Sequence, residues 1–128
     1  MQSYDLAFVL LLVAGLQVKH FVCDGPLQTL GMVQSKSHYG RPLGLAHAAI
    51  HALGTAVVLA VAGFGAKLVL VLAVIEFLIH YHVDFAKENF LKWTGWTTRD
   101  APFWWTFCAD QGLHQLTYLL LAWLALRP

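Results

Sequence analysis

Four apolar runs, each close to the length of about 20 residues that a helix needs to cross a bilayer, constrain this chain more than any other feature. They cover roughly 4–24, 43–64, 66–86 and 102–126. The chain has 128 residues, 59% hydrophobic and 12% charged. Soluble domains carry about twice that share of charge, which argues against a soluble fold. One domain over 1–128 is expected from the length.

The punctuation between the runs sets their connections. Gly63 and Gly65, around Phe64, predict a tight hairpin between the second and third spans. Segment 25–42, with Gly25, Pro26, Gly31, Gly40 and Pro42, reads as a longer loop, as does 87–101, with Lys87, Glu88, Asn89, Lys92, Gly95 and Asp100. An even number of crossings puts both loops on one face. Lys36, Arg41, Lys87, Lys92 and Arg99 there outnumber Lys67 and Arg127 opposite. That bias predicts cytoplasmic long loops and both termini outside.

Other classes fall away. The net charge of +1 and the lack of a basic run give no footprint for nucleic acid. Cys23 and Cys108 form no CxxC pair and read as small buried hydrophobes. The start, MQSYDLAFVLLLVAGLQ, has Asp5 and no positive charge before its apolar run, so it reads as a mature helix rather than a cleaved signal. Trp93, Trp96, Trp104 and Trp105 suit an interfacial belt.

Ionisable residues inside membrane spans are rare and by default mark function. Here every span carries a pair: His20 and Asp24, His47 and His51, His80 and Asp84, Asp110 and His114. All are spaced i, i+4, which stacks two side chains on one helix face. In the first and third spans the pairs lie near the C-terminal end, and in the second and fourth within the first few turns. With alternating helix direction, all four meet at the long-loop face. A single membrane histidine often serves packing alone; the shared register and depth point instead to metal coordination, which would also neutralise carboxylates that are costly in lipid. The fold expected is therefore an all-α membrane protein, a four-transmembrane-helix bundle with a buried His/Asp site near the cytoplasmic face.

The donor set suits one or two divalent transition ions, zinc first, with iron or manganese as alternatives. Glu76, one turn before His80, is a candidate ligand or general base, or a partner for a neighbouring helix. Gln28, Gln111 and Gln115 are candidates to orient the ligands. His82 points to another side of its helix than His80, and His38 has no partner at helical spacing, so both are left out.

The runs HFVCDGPLQT at 20–29, LAHAAIH at 45–51, IHYHVDFAK at 79–87 and DQGLHQ at 110–115 resemble the blocks of a bacterial and phage membrane family, domain of unknown function 3307. Its patterns H-x3-D-x3-Q, H-x3-H, H-x3-D and D-Q-x2-H fall on His20, Asp24 and Gln28, on His47 and His51, on His80 and Asp84, and on Asp110, Gln111 and His114. Gly25, Pro26 and His82 depart from the expected wording around them. The resemblance implies a multi-span protein of the bacterial inner membrane and brings no activity with it.

Four functions compete. The first is a metal-dependent hydrolase acting on a lipid-like or amphiphilic substrate, with Glu76 or an aspartate as the catalytic proton acceptor. The second is a di-iron or di-manganese oxidative site. Metal transport or sensing is the third, opposed by the apolar character of the spans toward the outer face. The fourth is a structural subunit of a membrane complex, locked by its metal. The expected partners are the lipid bilayer and the metal ion, with a second copy or a membrane complex also open.

Overall fold

The computed structural model describes residues 4–127, which form five helices and no strand among the described residues. They are α1 (Leu6–Asp24), α2 (Leu30–Ser35), α3 (Pro42–Val61), α4 (Ala66–Thr94) and α5 (Ala101–Ala125). Local chemistry sets the ends. Asp5 caps α1 by accepting from the backbone N–H of Phe8, and Thr29 caps α2 through that of Met32. Pro42 and Pro102 sit in the first turns of α3 and α5, where a missing N–H costs nothing.

The predicted hairpin is present: residues 62–65 join α3 to α4, with Gly63 at a φ of 88°. Two loop expectations need correction. Segment 25–42 contains the short helix α2, and α4 runs eight residues past the predicted end of its span, to Thr94. Lys87, Glu88 and Leu91 are good helix formers, so the charges mark where apolar sequence stops and not where the helix stops. The helix ends at Gly95, whose φ of 71° supplies the left-handed cap.

Helices α1, α3, α4 and α5 pack in a closed ring in that order, with α2 laid against α3. The ring is apolar outside and half polar within. Leu6, Leu11, Val61, Leu70 and Trp105 stand exposed, while the buried residues divide about evenly between polar and apolar. One half of the interior is a cluster of Leu12, Leu16, Leu59, Leu72, Tyr118, Leu121, Ala122 and Ala125. The other half holds the ionisable residues.

Helices α1, α3 and α4 are long and apolar enough to cross a membrane. The expected fourth span, α5, is 25 residues long but is not among them. Trp104, Trp105, Asp110, Gln111, His114 and Gln115 dilute its hydropathy. Cys23 is buried as expected, whereas Cys108 is exposed, because it lies on the outer face of α5.

Candidate metal centre

The i, i+4 pairs converge as their spacing predicts. His47 and His51 on α3 and His80 and Asp84 on α4 point inward, and each of the four is at most 4% exposed. Asp24, at the end of α1, reaches across to them. Its Oδ1 lies 3.0 Å from Nε2 of His51 and 3.1 Å from Nε2 of His47. Nε2 of His47 in turn lies 3.2 Å from Nε2 of His80. The four ligand atoms all fall within 4.8 Å of one another.

Those separations test the site. Four donors at about 2.0 Å from a tetrahedral ion stand about 3.3 Å apart. The observed edges of 3.0, 3.1 and 3.2 Å are near that value, so the group could hold one ion. Nδ1 of His47 and of His80 are both buried and without a partner, so neither ring is held by a hydrogen bond from its far side.

A second group shares His80. Asp84 directs Oδ2 toward Nε2 of His80 at 3.3 Å and of His47 at 3.4 Å, and Oδ1 toward Nε2 of His114 at 3.5 Å. Nε2 of His114 also lies 3.4 Å from Oδ1 of Asp110. These last two atoms are buried and make no hydrogen bond. Lys36 joins this group, its Nζ 2.9 Å from Oδ2 of Asp84. It is carried there by the loop after α2, which is tied down where Asn89 and Lys92 donate to Ser37 and Gly40 N–H donates to the Tyr81 hydroxyl.

One turn deeper lies a layer that is polar but outside both groups. Glu76 is fully buried and accepts from Lys19 on α1 and Thr55 on α3. Lys19 also donates to the backbone carbonyl of His51 at 3.2 Å, and its Nζ lies 4.5 Å from the centre of the Tyr118 ring. Gly54 makes room for this lysine, since a Cβ there would meet Lys19 Cδ at 3.1 Å. Breaking such a pair by removing one partner costs about 3–5 kcal/mol, so the layer ties α1 to α4 firmly.

His20 belongs to neither ligand group. Its Nε2 lies 3.0 Å from the Gln111 carboxamide oxygen and 3.2 Å from Oδ2 of Asp24, and its Nδ1 lies 2.7 Å from the Tyr118 hydroxyl. Both nitrogens are thus engaged, and the ring braces Asp24. Gln111 bridges onward by donating to Oδ2 of Asp110 at 3.2 Å. Gln28 donates to the backbone carbonyl of Asp24, while the side-chain oxygens of Gln28 and Gln115 are buried without a hydrogen-bond partner. His38 and His82 are exposed, the latter beside the Tyr39 hydroxyl.

The sequence reading passed over Lys19, Lys36, Thr55 and Tyr118. Thr55 and Tyr118 were within reach of it, because they continue the series 47, 51 and 110, 114 by one more turn. Lys19 is a lone cation in an apolar run, itself a signal.

The centre opens on one side. A cavity of about 400 Å³ is lined by Asp24, Gln28, Lys36, Lys87, Glu88 and Asp110, with Phe103 and Phe107 on its rim. Asp24 is the ligand exposed to it, its side chain 20% accessible against 1% or less for His47, His51 and His80. Other, larger cavities are apolar grooves between helices on the outside of the ring.

The chain belongs to the family described as protein of unknown function (DUF3307), which it matches over residues 8–127. No curated protein and no solved structure is significantly similar to it.

Proposed function

We propose that this chain is an integral membrane metal-binding protein that crosses the bilayer four times, α5 included, and holds a divalent transition ion among Asp24, His47, His51 and His80. The observation that carries the reading is the gathering of these four donor atoms within 4.8 Å, with Oδ1 of Asp24 at 3.0 and 3.1 Å from Nε2 of His51 and His47, and Nε2 of His47 at 3.2 Å from that of His80. Three imidazoles and a carboxylate suit zinc first, with iron or manganese next. The place of α5 as a fourth span is supported by its closing the ring between α4 and α1, with Leu113, Leu116, Leu119 and Trp123 facing outward. The loop charges favour the end bearing the centre as the cytoplasmic one.

Charge supports at least one dication. Of the four carboxylates inside the ring, Glu76 is matched by Lys19 and Asp84 by Lys36, leaving Asp24 and Asp110. Two unmatched acids inside an apolar shell are costly, and one divalent ion balances them.

The polar cavity beside Asp24 favours hydrolysis over a purely structural ion, because it brings solvent and substrate to the centre. A bound ion there lowers the pKa of water and polarises a phosphoryl or acyl oxygen. The lining sets apolar Phe103 and Phe107 beside charged side chains, Lys36 and Lys87 each paired with an acid, which suits an amphiphilic substrate. Asp110 lines the cavity and faces His114 at 3.4 Å, so it links the centre to that space. Glu76, paired with Lys19 and Thr55, holds its layer in place.

Elemental analysis of detergent-purified protein tests the metal reading. At least one equivalent of a transition metal per chain is expected, and less than about half an equivalent after gentle purification would overturn it. Phosphoester and acyl reporters then test hydrolysis; metal flux into vesicles without turnover would replace the hydrolase with a transporter.

A further inference from the structure

We infer that the centre is dinuclear: Asp84 bridges the ion above to a second one held by Asp84, Asp110 and His114, and the second ion, with fewer protein ligands, is the one that keeps an open position. The inference rests on the proposed function only for the first ion. Its own support lies in the second group.

Two buried polar atoms there make no hydrogen bond and meet only at ion-pair distance. Nε2 of His114 and Oδ1 of Asp110 belong to residues at most 4% exposed, make no hydrogen bond, and lie 3.4 Å apart. A buried polar atom without a partner is costly and calls for an unseen one. The spacing of 3.4 Å is near the edge of about 3.3 Å for donors sharing an ion, and Oδ1 of Asp84 lies 3.5 Å from the same nitrogen, in a group of close donors with His80.

Sharing one ion among all these ligands does not work. An imidazole nitrogen offers a single lone pair, so Nε2 of His80 serves one ion, and the first already has four protein ligands. Asp84 is the residue that reaches both, since Oδ2 faces His47 and His80 while Oδ1 faces His114. A carboxylate bridging through its two oxygens holds ions at the separation of about 3.5–4 Å found in two-metal sites. Lys36 occupies another lone pair of Oδ2 and keeps the bridge from turning.

The two positions then differ in ligand number. With Asp84 bridging, the first has five protein ligands and the second three, which leaves the second the open position that catalytic sites keep; Asp24 and Asp110 set both beside the cavity. Asp24, Asp84, Asp110 and Lys36 together carry two negative charges, so two dications leave an excess of two positive charges. That excess selects an anionic substrate such as a phosphoester over a neutral ester.

Cobalt(II) reconstitution tests this. Protein stripped with chelator in detergent and reloaded is expected to hold two cobalt ions per chain, and Asp110→Asn and His114→Gln one each. The electron paramagnetic resonance signal of the first cobalt is expected to broaden and fall as the second binds, and Asp84→Asn to abolish that coupling. One cobalt per chain that both Asp110→Asn and His114→Gln leave unchanged would overturn the second site while sparing the first. No cobalt at all would overturn both.

Discussion

Lys19 on α1 and Glu76 on α4 form a buried ion pair across the ring, joining two helices that are not neighbours in it. Thr55 on α3 donates to the same carboxylate, so three helices meet at one acid. Glu76→Gln leaves the Lys19 ammonium buried without its countercharge. A loss of about 3–5 kcal/mol is expected in denaturation of the detergent-solubilised protein. The double variant Lys19→Met, Glu76→Gln removes both charges and is expected to recover most of that loss. A double variant no more stable than Glu76→Gln would show that the pair is not what holds α1 to α4.

The ligand assignment separates histidines by place. His51→Ala removes one of four donors from a sealed site, and loss of the first ion, with metal affinity down at least about a hundredfold, is expected from competition with a chelating dye. His38→Ala and His82→Ala change exposed rings outside the centre and are expected to leave the affinity unchanged. Equal effects from all three would mean that the metal binds somewhere other than between α1, α3 and α4.

His20 gives a finer distinction, because it braces Asp24 and is itself held by Tyr118 through a 2.7 Å hydrogen bond. Tyr118→Phe deletes only the hydroxyl. A stability loss of about 1 kcal/mol is expected by thermal denaturation, with metal content unchanged. If Tyr118→Phe instead empties the site, the hydroxyl orients a ligand, either His20 or His51, whose Nδ1 lies 3.5 Å from it.

How much of this was legible in the sequence depends on how far each contact reaches. The His and Asp pairs were readable because i, i+4 is a property of one helix and needs no tertiary knowledge. Their common depth followed from alternating helix direction. Lys19 escaped because it lies one position before His20, outside that column, and only the diagonal reach to Glu76 gives it a role. Lys36 was counted as a loop charge; what buries it is the docking of the loop after α2 through Ser37, Asn89 and Lys92, a contact between residues more than fifty apart. The extension of α4 to Thr94 was hidden by the assumption that a span and its helix end together.

Lys36 also offers a test that reads the ion through stability. In metal-free protein its ammonium is the nearest partner of Asp84, at 2.9 Å, inside a region where both side chains are 7% exposed or less. Lys36→Met therefore strands a buried carboxylate, and a loss of about 3 kcal/mol or more is expected for the metal-free form. With metal bound, Asp84 is compensated by the ions that its two oxygens face, so the same substitution is expected to cost no more than about 1 kcal/mol. Chemical denaturation of both forms, with and without chelator, supplies the comparison. An equal loss in the two forms would place Asp84 outside the coordination sphere, held by Lys36 and its histidine neighbours alone; a smaller loss in the loaded form ties the buried lysine of this loop to the same carboxylate that joins the two ligand groups.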